Sequence, residues 1–81
     1  MAVKLDVISA EFEREAALGD NLKIYSDALL LSVRNLRTEI WSFANLRMKE
    51  ISDATAAKLR ERIAAISRQI KAEAAERAAP K

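Results

Sequence analysis

Cysteine and histidine are both absent from this 81-residue chain, and each absence removes a kind of chemistry. Without cysteine there is no disulfide framework, no thiolate metal site and nothing that points to an oxidising compartment. Without histidine the usual zinc ligand and the usual general base are missing. Glycine and proline occur once each, so few residues that enforce turns interrupt the backbone. The longest strongly apolar run, Ala28 to Leu31, is far too short to span a bilayer. The opening residues, Met1 to Asp6, lack the apolar stretch of a secretion signal. A soluble, cytoplasmic protein is expected.

No charge of one sign dominates: 14 basic residues stand against 12 acidic ones, for a net charge of +2. The distribution is uneven. Residues 1–20 carry two basic and five acidic side chains, whereas residues 21–50 carry five and three, and residues 51–81 carry seven and four. Such polarity favours packing of the acidic N-terminal element against the basic remainder, in the same chain or a neighbour.

What the chain has in abundance is Ala, Leu, Glu, Lys and Arg, the strong helix formers. The pattern predicts an all-α single domain over residues 1–81 with three helices. The first spans about 3–18, with Leu5, Ile8, Phe12 and Ala16 at helical spacing. Gly19 supplies a left-handed position after it, and Asp20 can cap the next helix. A second reading of this segment is a strand, because Val3, Leu5 and Val7 alternate; a lone strand, however, needs a partner.

The second helix is predicted over about 21–51. Its apolar face is Leu22, Tyr25, Leu29, Leu36, Ile40 and Phe43. The face fits a heptad register, with Leu22, Leu29, Leu36 and Phe43 at one site and Tyr25, Ser32, Glu39 and Leu46 at the other. Residues 28–33 are apolar nearly all the way round, which implies cover on every side. Glu39, Arg47 and Glu50 fall on or near this face, where they can fix register or line a cleft; the bland reading is that they lie at the rim and reach out to water. The third helix is predicted over about 54–76, with a narrower seam of Leu59, Ile63, Ile66 and Ile70 extended by Ala56 and Ala74, and a frayed tail at 77–81. Its register is out of step with the second helix, and Ser52, Asp53 and Thr55 are good caps. A turn at residues 50–54 is therefore expected, with one continuous helix as the alternative.

A chain this short buries only about 60% of its unfolded surface, so copies of itself are the simplest further support. The expected assembly is a dimeric or higher bundle. Its long helical hairpin is centred on residues 28–43, with the first helix folded across and Leu5, Ile8 and Phe12 inward. Leu22, Tyr25, Leu29, Leu36, Ile40, Phe43, Leu59, Ile63, Ile66 and Ile70 are the expected oligomer core.

Trp41 stands apart. At about 100° per residue it points roughly 140° away from the apolar face of its helix. It lies on a second stripe with Lys23, Leu30, Arg34, Arg37 and Met48. Tryptophan with Met, Leu and Arg is the composition of an interface anchor, and Arg34 and Arg37 are placed to stack on the indole. Leu30, Arg34, Arg37, Trp41 and Met48 are accordingly the candidate partner-binding residues. The bland alternative is that Trp41 fills a groove between helices of one fold.

Function is expected to be non-catalytic: a self-associating interaction module that serves as adaptor, accessory subunit or inhibitor by occupying a partner's surface. No catalytic, cofactor or metal residues are assigned. Glu11 and Glu15 could both reach a metal, but carboxylate di-metal bundles normally add a Glu-x-x-His pair. The helical chorismate mutases build sites from Arg, Lys and Glu without His, and are the enzyme family of this size to compare. They lead with their long helix, whereas here a short helix comes first, and no motif matches. The alternative reading is a nucleic-acid-backbone binder, in which Arg60, Arg68 and Lys71 share a side of the third helix with Ala57, Ala64, Ser67 and Ala75. Membrane-surface binding would need a segregated basic face that no helix has.

Overall fold

A computed structural model of the chain describes residues 2–16 and 25–78, with the backbone alone at 77 and 78. Of these residues 81% are helical, compatible with an all-α protein, and a two-stranded ribbon is added. The order is β1 (Ala2–Lys4), α1 (Leu5–Glu15), α2 (Asp27–Asn45), β2 (Glu50–Ser52) and α3 (Asp53–Ala78).

The strands correct the reading of the C-terminal end of the predicted long helix and of the start of the first. β1 pairs antiparallel with β2, placing Ala2 opposite Ser52, Val3 opposite Ile51 and Lys4 opposite Glu50. The expectation that β1 would lack a partner fails because residues 50–52, predicted to close the second helix and turn into the third, are extended instead. Ile51 is buried and Val3 packs against the core, while their neighbours in each strand face outward. Lys4 and Glu50 set opposite charges across the ribbon, a favourable cross-strand pair. The ladder runs on into α1, whose first N–H, from Leu5, donates to the Lys49 carbonyl at 2.8 Å. That bond satisfies a helix-end donor that Lys4, with no side-chain cap, leaves open.

α2 is shorter than expected at each end. It begins after Ser26, whose Oγ accepts from the Leu29 N–H at 3.2 Å. Ser26 is itself held by the far end of α3: its backbone N–H and its hydroxyl donate to the two carboxylate oxygens of Glu73 at 2.7 and 2.8 Å. While the backbone N–H keeps its bond to Glu73, Ser26→Ala removes the cap and the hydroxyl half of this tie. It is expected to cost about 1–2 kcal/mol, read as a lowered urea midpoint with unchanged slope.

The other end of α2 closes in a Schellman turn. The Arg47 N–H donates to the Ala44 carbonyl, and the Met48 N–H to that of Phe43. Arg47 occupies the left-handed position, at φ 59°, that glycine usually takes. Helices α2 and α3 are thus separated by a turn and a strand, so the continuous helix does not form. Ser52 then ends β2 and caps α3, its Oγ accepting from the Thr55 N–H at 3.2 Å. α3, not the second helix, is the longest element.

The core is one cluster. Leu5, Ile8, Phe12 and Ala16 of the N-terminal segment meet Leu29, Val33, Leu36 and Ile40 of α2, and Ala56, Leu59, Ile63 and Ile66 of α3. Tyr25, Phe43 and Ile70 pack at its edge. Most of the residues expected to make an oligomer core therefore pack within a single chain; Leu22 lies outside the described residues, as do Gly19, Asp20, Lys23 and the end of the tail. The second heptad site is corrected as well. Val33 takes the inward place, while Ser32, Glu39 and Leu46 are exposed. The described residues do not cover residues 28–33 on every side: Leu30 is partly buried and Leu31 exposed. No helix among the described residues is long and apolar enough to cross a membrane.

Candidate interaction surface

The acidic first helix does settle on the basic remainder of the chain. Glu11 receives a two-pronged hydrogen bond from Arg60 at 3.0 and 3.2 Å, and Glu13 one from Arg37 at 3.3 and 3.5 Å. Glu15 accepts from the buried Ser67 hydroxyl at 2.9 Å. Glu39 of α2 pairs with Arg62 of α3, which fixes it at the rim. The hydrogen bond to Glu11, reinforced by its charge, raises the pKa of Arg60 above the already high arginine range. These pairs are half-exposed, so they orient helices more than they stabilise them.

Their placement decides which predicted surfaces remain open. Arg60, Arg68, Lys71 and Ser67 do come together, beside a depression of about 390 Å³ between α1 and α3. The carboxylates of Glu11 and Glu15 line the same depression. A stripe free of acid on its own helix therefore faces two acids from its neighbour, and Arg60 is already engaged. The same contacts draw Glu11 and Glu15, the carboxylate pair considered for a metal, apart onto different partners of α3.

On α2 the Trp41 stripe is open at Arg34, Arg37 and Trp41, and Leu31, which lies off that stripe, is open as well. Trp41 is 63% exposed and Leu31 56%. Arg37 is not stacked on Trp41; it turns to α1, with its guanidinium 5.4 Å from the centre of the Phe12 ring and its charge on Glu13. Arg34 is exposed and makes no ion pair among the described residues. Trp41 forms one wall of a cleft of about 150 Å³ between α1 and α2, floored by Phe12 and Ile40 and rimmed by Ser9, Glu13 and Arg37. Past the end of α2, Leu46 is 71% exposed and Met48 39%. Met48 lines the next depression, with Arg47, Lys49 and, from the N-terminal segment, Lys4 and Asp6.

Of the sequence-assigned partner residues, Arg34, Arg37, Trp41 and Met48 are thus exposed, and Leu30 is half-covered. Sequence reasoning missed Leu31 and Leu46 as outward apolar groups, because it assigned one to a covered segment and the other to the heptad seam. It also missed Glu13 as the partner of Arg37; the surplus of acid in residues 1–20 was the available signal. The chain matches no protein-family model, no curated protein and no solved structure.

Proposed function

We propose that this protein is a non-catalytic, self-associating helical interaction module of the cytoplasm. It works by laying the outer face of α2 and the turn at its C-terminal end against other protein surfaces. The observation that carries this reading is Trp41, 63% exposed beside a preformed cleft in a chain with few aromatics. Exposing an indole and a leucine along α2 and a methionine just past its end has no benefit for folding, and an exposed tryptophan is a usual energetic centre of interfaces. Roles as adaptor, accessory subunit or inhibitor all use this property.

The test separates binding from folding. Trp41→Ala is expected to weaken self-association at least about 30-fold, the loss typical of an interface hot spot, measured by sedimentation equilibrium. Helicity and melting temperature, compared at a concentration where both chains are monomeric, should stay within experimental error of the parent, since the side chain contributes little to the core. A large drop in melting temperature would instead assign Trp41 to stability and remove the basis of the proposal.

A further inference from the structure

The outer face of α2 has an order that only becomes visible once its ends are fixed. Asp27, Leu31, Arg34, Thr38, Trp41 and Asn45 recur every four and three residues along the whole helix, and every one of them is exposed. This is the seam spacing of a helix that meets a second helix at a shallow angle. The chemistry along it is symmetric about the level of Leu36. The two bulky apolar side chains, Leu31 and Trp41, lie five residues to either side, about 7.5 Å from the midpoint. Inside them sit the polar pair Arg34 and Thr38, and outside them the polar pair Asp27 and Asn45.

We infer that the occupant of this face is a second copy of the chain, its α2 packed antiparallel about a two-fold axis at the level of Leu36. The inference rests on the self-association proposed above and names its surface and geometry. In a two-fold contact, positions equidistant from the axis meet. Each Leu31 then covers the other copy's Trp41, and both exposed apolar groups of both copies are satisfied at once. Each Arg34 lies opposite the other copy's Thr38 and within a turn of its indole, where a guanidinium is favoured. Asp27 meets Asn45, so no carboxylate is set against a carboxylate. The four large side chains supply on the order of 500 Å² of the roughly 1,200 Å² that a specific interface needs, with the polar stripe supplying the remainder. A foreign helix would have no reason to require mirrored chemistry on this face. The arrangement also leaves Leu46 and Met48, beyond the seam, free for a different protein.

Because the chain contains no cysteine, the geometry can be read by cross-linking. Leu31→Cys and Trp41→Cys chains are prepared separately, checked for parental helicity, mixed and oxidised. The mixture is expected to form a disulfide-linked pair, with the remaining Leu31–Trp41 layer intact. Each variant alone should not cross-link, because like positions lie about 15 Å apart along the axis. Thr38→Glu gives an independent check in a full-length chain: it meets Arg34 of the other copy twice and should tighten the dimer several-fold. A parent chain that sediments as a dimer, with cross-linking in either single variant or in none, would overturn this geometry while leaving self-association in place. A parent chain that remains monomeric at about 100 μM, where an interface of this size is normally occupied, would overturn both.

Discussion

Phe12→Ala is expected to lower the melting temperature by roughly 15–30 °C, enough to leave much of the protein unfolded at about 37 °C. Phe12 is 1% exposed and is among the largest side chains wholly enclosed by the core. Truncating a buried phenylalanine costs about 3–5 kcal/mol, since the transfer free energy is lost and the cavity closes only in part. A domain of this length has about 4–12 kcal/mol in total. Each kcal/mol shifts the midpoint of a small domain by about 4–8 °C. The ring also supports the Arg37 guanidinium 5.4 Å above it, so the variant loses the seat of the Arg37–Glu13 pair as well. Circular dichroism during a thermal scan measures the effect. A shift below about 5 °C would mean that α1 is not an integral part of the core.

Ile51→Asp is the second large effect, and it carries a pH signature. Ile51 is 2% exposed at the middle of β2, opposite Val3 and against the start of α3. A carboxylate placed there has no partner and is disfavoured as an ion, so its folded-state pKa rises above the value of about 3.9 in the unfolded chain. A raised folded pKa means that the folded state binds the extra proton more readily. Its relative stability is then greatest at low pH and falls as pH rises through the folded value. The variant should therefore lose about 4 kcal/mol or more at pH 7 and distinctly less at pH 4, relative to the parent at each pH. Ile51→Ala, by contrast, should lose about 2–5 kcal/mol with the same difference from the parent at both values. Equal losses for the Asp variant at pH 4 and pH 7 would show that residue 51 is open to water and that the ribbon is not closed.

These two residues also mark what the sequence could and could not disclose. Phe12 was legible because Leu5, Ile8, Phe12 and Ala16 repeat along one helical face, a signal contained within twelve residues. The third helix was legible for the same reason, and its residues Ala56, Leu59, Ile63 and Ile66 are indeed inward. Ile51 was not, because a strand of three residues is too short to show alternation and its partner, Val3, is remote in sequence. The end of α2 was hidden by chemistry: a Schellman turn is normally announced by glycine, and here Arg47 adopts the left-handed conformation unannounced. Val33 was displaced from the core by a strict heptad reading that favoured Ser32, although a straight helix of about 3.6 residues per turn brings 29, 33, 36 and 40 to one side. On the outer face, the angle that sets Trp41 away from the core is the same angle that leaves it exposed. The turning of Arg37 toward Glu13 depends on where α1 lies, and no local pattern contains that.

The ribbon has a consequence for how the molecule comes into being on the ribosome. It joins residues 2–4 to residues 50–52, and much of what shields Leu5, Ile8 and Phe12 comes from α3. α1 leaves the exit tunnel ahead of α2 and α3, yet its apolar side is fully enclosed only after residues 50–66 have followed, because closing so long a loop must wait for them. During that interval its apolar side is bare to the cell. Asp6, Glu11, Glu13 and Glu15 outnumber Lys4 and Arg14 on this segment, and two of those carboxylates find their partners only when Arg37 and Arg60 emerge.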